Sequence, residues 1–284
     1  MRMRMTLVAL LLASAPVPGF AQDAQSLIAK NLEARGGAAA LDALKSVSFQ
    51  GRVIFPGGFE LTYKEVRSRT GVTTAGRTDL GLQGLDIVQS YDGREAWRIN
   101  PFQGRKDPEK MSADQARQLA DNSLIDGPLL AARSDGSRVQ YLGREDFDGT
   151  LAYKLKVTQK DGDEYTFWLD PDTYLEIKVD ETRRIRGAQQ TSETELGDYE
   201  KVGGIYFPMS AESWALGQPN QRTQVSLASA TANPAIDAGF FAEPGGPATP
   251  AKASGEPPDA SQKPQGKKPA ASKLPASPSK PKGK

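Results

Sequence analysis

The 284-residue chain contains no cysteine and no histidine. Without cysteine there is no disulfide, no thiol nucleophile and no thiolate metal site. Without histidine there is no Ser-His-Asp triad, no imidazole ligand and no base that titrates near neutral pH at its ordinary pKa. Any catalysis would fall to carboxylates, lysine and tyrosine. A long hydrophobic run is missing too. The longest, Thr6 to Ala13, is too short to span a bilayer. Preceded by Arg2 and Arg4 and followed by Gly19-Phe20-Ala21, it reads as a secretory leader cleaved after Ala21. The mature chain is then expected in the periplasm.

Net charge is also close to absent, at +1, but it is unevenly spread. Pro244 to Lys284 is rich in proline, alanine, serine and lysine, and carries eight lysines against Glu256 and Asp259, a net of +6. Setting that segment and the two leader arginines aside leaves the body near −7. An acidic body with a basic tail does not fit a nucleic-acid binder, whose positive charge sits on a structured face. The tail holds too little apolar surface to offset its ordering entropy, so disorder is expected, with anionic envelope surfaces as the contact its charge would favour. The chain thus divides into a leader (1–21), a folded body (22–242) and a tail (243–284).

What the body has in quantity is alternation. Leu151, Tyr153, Leu155 and Val157 interleave with Lys154 and Lys156, the period of a strand with one dry face. Asp161-Gly162 turns the chain, Tyr165 to Leu169 returns it, and Asp170-Pro171-Asp172 turns it again toward Leu175, Ile177 and Val179. Earlier, Val47, Phe49, Gly51, Val53 and Phe55 share one face, and after Pro56-Gly57-Gly58 the residues Phe59, Leu61 and Tyr63 come back against them. Helical stretches are few. Ser26 to Arg35 ends at Gly36-Gly37, and Ala38 to Leu44 adds a turn or two. Pro101 to Asp107 reads as a loop. Ser112 with Gln115 reads as a capping box opening a helix through Leu119, and Pro128 starts another. The fold class is mainly β (α+β): one antiparallel sheet of about ten to twelve strands, interrupted once by a helical insert.

So large a sheet curls, and its apolar face needs a cover. If it curls around the insert, Phe49, Val53, Leu61, Tyr63, Trp97, Tyr153, Leu155 and Phe167 line the concave wall. Leu119, Leu124, Ile125, Leu129 and Leu130 then form a lid, with Gly127 and Asn122-Ser123 as its hinges. Such a wall under a removable plug describes a site for an apolar ligand. The same pattern equally describes a plug that is permanent core filling. Asp161 to Glu164 and Asp170 to Asp172 lack the ligand spacing of a calcium loop and read as turns. Arg183, Arg184 and Arg186 read as a solvated strand end. Trp168 falls on the polar side of its strand, which marks it as an exposed docking contact or as a side chain under a loop.

These residues resemble a known family. Leu32-Glu33-Ala34-Arg35-Gly36-Gly37 followed by Ala40 to Val47 is similar to the opening segment of LolA-like, outer-membrane lipoprotein-sorting domains. So are Tyr91-Asp92-Gly93 with Ala96-Trp97, Asp148-Gly149 ahead of Tyr153 and Leu155, Leu169-Asp170-Pro171 with Tyr174-Leu175, and Asp198-Tyr199 with Gly204-Ile205-Phe207-Pro208. The resemblance implies an unclosed half β-barrel with a helical lid over a hydrophobic cavity. It implies a non-enzymatic carrier of lipid or acylated lipoprotein, without cofactor or metal, serving inner- and outer-membrane transport components. The alternative is an envelope interaction or sensing module with the same fold and a filled cavity.

Overall fold

The computed structural model describes residues 19–70 and 73–244. The expected leader up to residue 18 and the basic tail from residue 245 lie outside the described residues. Helices α1 (Gly19–Arg35) and α2 (Ala38–Ala43) lead into β1 (Ser46–Phe55), β2 (Phe59–Thr70), β3 (Thr73–Leu82), β4 (Leu85–Tyr91), β5 (Ala96–Asn100) and β6 (Arg105–Lys110). The insert follows as α3 (Ala113–Asn122) and α4 (Gly127–Ala131). The second run is β7 (Arg138–Phe147), β8 (Thr150–Thr158), β9 (Glu164–Leu169), β10 (Glu176–Ile185), β11 (Ala188–Val202), β12 (Ile205–Ala215) and β13 (Thr223–Ala232).

All thirteen strands belong to one antiparallel sheet in the order β6-β5-β4-β3-β2-β1-β13-β12-β11-β10-β9-β8-β7. Each half of the chain is an up-and-down meander, and the first and last strands pair, from Val47 opposite Ala232 to Ile54 opposite Gln224. The outermost strands, β6 and β7, do not meet, so the sheet is an unclosed half-barrel. The insert is the connection between these two edges, which places it across the concave face.

Local chemistry sets the helix ends. Ser112 accepts from the Gln115 amide at 3.4 Å, and the Gln115 side chain accepts from the Ser112 amide at 3.2 Å, closing the capping box. At Gly36 the chain turns with φ of +129°, and a Cβ there would lie 2.1 Å from the Gly204 carbonyl oxygen, so only glycine lets α1 end against the β11–β12 turn. The main core lies on the concave side. It joins Leu27 and Ile28 of α1, Leu41 and Leu44, Val47 and Phe49 of β1, Leu129 and Leu130 of α4, and Leu155, Val157, Phe167 and Ile205 of the far wing.

Three details differ from the sequence reading. α1 starts at Gly19 rather than Ser26, so a cut after Ala21 would leave it beginning at Gln22. Residues 105–110 (RKDPEK) form edge strand β6, with its proline tolerated at the margin, although a loop was expected as far as Asp107. Trp168 is neither exposed nor under a loop. It is buried on the convex face, with Lys154 and Lys178 lying 4.6 and 4.7 Å over its ring and its indole N–H donating to Glu145 at 3.2 Å. The two ammonium groups over the ring are held there by carboxylates, Lys154 by Glu145 at 2.7 Å and Lys178 by Glu193 at 2.6 Å.

Candidate functional site

Between the concave face and the insert lies a cavity of about 480 Å³. Register partners place residues on its wall: Glu65 of β2, Thr78 of β3 and Gln89 of β4 sit opposite one another along one row. On the far wing Phe167, Val179 and Thr194 do the same across β9, β10 and β11.

Of the expected wall residues, Tyr63 and Phe167 line this cavity. Phe49 is buried just behind it, edge-on to Phe207, which lines it, with ring centroids 5.4 Å apart. Leu155 is core beneath Phe167, its register partner. Val53 and Leu61 are buried opposite each other near the β1–β2 turn. Tyr153 stacks on Tyr174 at 5.8 Å, outside the cavity lining. Trp97 lies on the other face. Its partner Ser90 carries a hydroxyl that donates to the Phe241 carbonyl, so this row faces the convex side, where Phe240 and Phe241 pack. The concave position is taken by Ala96, which is buried on the face where α3 packs over β3–β5. Of the lid residues, Leu119, Leu124 and Ile125 face the cavity, whereas Leu129 and Leu130 are fully buried core. Gly127, one of the expected hinges, has φ of +74° and borders the cavity.

The wall is not uniformly apolar, and this is where sequence reasoning fell short. Arg35 pairs with Glu176 at 3.3 Å with both side chains buried, and Tyr199 donates to the Glu176 carbonyl at 2.7 Å. On the opposite wall Glu65 accepts from Arg67 at 2.9 and 3.0 Å and from the Tyr63 hydroxyl at 3.0 Å, with the guanidinium 5.5 Å over the Phe49 ring. Burial holds the phenols of Tyr63 and Tyr199 well above their usual range, with the neighbouring carboxylates adding to it. Both phenols therefore stay protonated as donors. The Leu61-Tyr63-Glu65-Arg67 alternation contained this signal, since all four share one strand face. The Arg35–Glu176 pair had none, because its partners are far apart in sequence.

A third ionic group holds the insert. Arg183 is not a solvated strand end: it is buried, and reaches Asp163 and Asp121 at 2.8 Å each, with further bonds to Glu181 and the Tyr165 hydroxyl. Arg184 and Arg186 are exposed, as expected. Asp121 belongs to α3, so Arg183 ties the insert to β10. On the other wing Arg69 pairs with Asp126 and the Thr74 hydroxyl donates to the Ser123 carbonyl at 2.9 Å. Asp170 accepts from the Thr173 amide at 2.7 Å, and the Asp163 amide donates to Asp161 at 3.1 Å, the hydrogen bonds of turns. Among the described residues, no group of three or more acidic side chains is arranged to hold a metal ion.

No protein-family model matches the sequence, and no curated protein matches it significantly. Solved structures do match. An outer membrane lipoprotein-sorting protein domain of Vibrio parahaemolyticus is 14% identical with a TM-score of 0.55, over 78% of this chain and 98% of that one. A DUF1329 family protein of Desulfovibrio piger gives 13% and 0.55, over 77% and 96%. A LolA superfamily protein of Nitrosomonas europaea gives 16% and 0.51, over 76% and 96%. The chain has the half-barrel fold of lipoprotein-sorting and LolA-superfamily domains.

Proposed function

We propose that the protein is a non-enzymatic periplasmic carrier for lipids or acylated lipoproteins, holding acyl chains between the concave sheet and the insert. The observation that carries this reading is the 480 Å³ cavity under α3 and α4, on a fold shared with lipoprotein-sorting domains. The volume falls within the range of about 300–1,000 Å³ usual for small-ligand sites. Its lining suits an amphiphile. Leu119, Leu124, Ile125, Phe167 and Phe207 offer an apolar bed, and the Glu65–Arg67 and Arg35–Glu176 pairs offer polar partners for a headgroup or peptide. A long acyl chain withdrawn from a membrane must recover on the order of 10 kcal/mol, at about 0.8 kcal/mol per methylene. A surface groove cannot supply that, so the insert has to make room. Leu119, Leu124 and Ile125 are the side chains displaced, while Leu129 and Leu130 stay in the core as the fixed end of the lid. Inner- and outer-membrane transport components would be the donor and acceptor.

The experiment is lipid loading with the insert free or locked. Gly76 and Ser123 face each other, a Cβ at Gly76 lying 2.7 Å from the Ser123 Cβ, so paired cysteines there need a displacement of about 1 Å to bridge. The chain has no other cysteine to interfere. The mature protein is loaded with phospholipid or acylated peptide and weighed by native mass spectrometry. Loading by the reduced Gly76→Cys/Ser123→Cys protein, lost on oxidation and regained on reduction, supports the carrier. Loading that ignores the lock, or no loading by the unaltered protein, leaves the envelope interaction module.

A further inference from the structure

Six large hydrophobic side chains are markedly exposed among the described residues, and four of them share one end of the sheet. Antiparallel order puts the β5–β6, β3–β4, β1–β2 and β12–β13 turns on the same rim, and these four hairpins are consecutive across the sheet. Each carries one exposed apolar residue at its tip: Phe102, Leu85, Phe59 and Leu216, at 44%, 43%, 50% and 61% exposure. The concave side reaches this rim at Leu216. A second hollow of about 570 Å³, bordered by Gln118, Arg183, Gln190 and Leu216, meets the first at Glu181, which borders both.

From this placement we propose that the rim of hairpin tips is a membrane-docking surface, inserting Phe59, Leu85, Phe102 and Leu216 into the lipid interface with the mouth of the groove against it. Lipid fits better than a protein partner. The four side chains project singly, separated by turns built on Gly57-Gly58, Gly84, Gly104 and Gly217, rather than forming the contiguous apolar core of a protein interface. Beside two of the tips the charges are paired within the chain, Arg52 with Glu60 at 3.8 Å and Arg222 with Glu195 and Glu212 at 3.0 Å each. Single apolar side chains on successive tips of one rim suit shallow insertion into a lipid interface. The purpose of the docking rests on the carrier reading; the docking itself does not, and the test reads them separately.

The mature full-length protein is floated with two kinds of vesicle, pure phosphatidylcholine and phosphatidylethanolamine with phosphatidylglycerol. The quadruple variant Phe59→Ser, Leu85→Ser, Phe102→Ser, Leu216→Ser is compared with Leu142→Ser/Leu151→Ser, which removes the two exposed hydrophobics elsewhere. Flotation with both vesicles, weakened about fivefold by each tip substitution and abolished in the quadruple variant, is expected. The Leu142/Leu151 variant should float unchanged. A dye on a single cysteine at position 102 should shift to the blue on binding. Flotation on phosphatidylglycerol alone that ignores the tips would overturn the proposal and assign binding to the lysine tail. No flotation would overturn it in favour of a protein partner for the rim. Native mass spectra of the same samples report cargo independently: a protein that floats but carries no lipid keeps the rim and removes the carrier.

Discussion

Removing Arg183 would strand Asp163, a carboxylate that is itself almost wholly buried, and would cut Asp121 loose from β10. An uncompensated buried charge costs far more than the pair was worth, so Arg183→Met should lose about 3–5 kcal/mol in urea unfolding. Asp121 adds a dependence on pH. Burial raises the proton affinity of its carboxyl more than the Arg183 cation beside it lowers it. Its ionisation therefore works against folding. The stability this group contributes is full below the ordinary carboxylate range and is lost as pH rises through the folded-state value. Asp121→Asn should gain on the unaltered protein as pH climbs from about 3 to 7, read from urea midpoints. The alternation of Leu61, Tyr63, Glu65 and Arg67 made one charged wall readable, but nothing in Arg183-Arg184-Arg186 marks which arginine turns inward. That is decided by strand phase: Arg183 shares a face with Val179 and Glu181, while Arg184 points away.

At the scale of elements, the insert rides close over β3. A Cβ at Gly76 would fall 2.0 Å from the Ser123 hydroxyl and 2.7 Å from its Cβ. Gly76→Ala should therefore lift α3 and cost about 1–3 kcal/mol by overpacking, and Ser123→Gly in the same chain should recover most of the loss. Thermal melts of the single and double variants would show it. The capping box of α3 and the proline start of α4 were legible because each is a local hydrogen-bonding or steric rule. Strand β6 was not, because RKDPEK has no dry face and an edge strand needs none. Trp97 went to the convex side for a related reason. Size alone suggests a wall residue, but phase after the Asp92-Gly93 turn gives the concave position to Ala96, buried on the face that α3 covers.

For the whole molecule, alternation and turn spacing disclosed one large antiparallel sheet, and its curl followed from strand number. The polar character of the cavity did not follow, because it depends on which strands become neighbours once the sheet is complete. That neighbourhood has one further consequence. The strand made last, β13, is not at a margin: it lies between β1 and β12 and joins the two wings. Its partners span nearly the whole folded chain, so this seam closes against the largest loop entropy in the molecule. Until Thr223 to Ala232 is made, β1 waits with a bare ladder edge. A chain that stopped short of Thr223 would keep twelve strands yet lose the keystone, leaving two half-sheets tethered by the very helices meant to cover them.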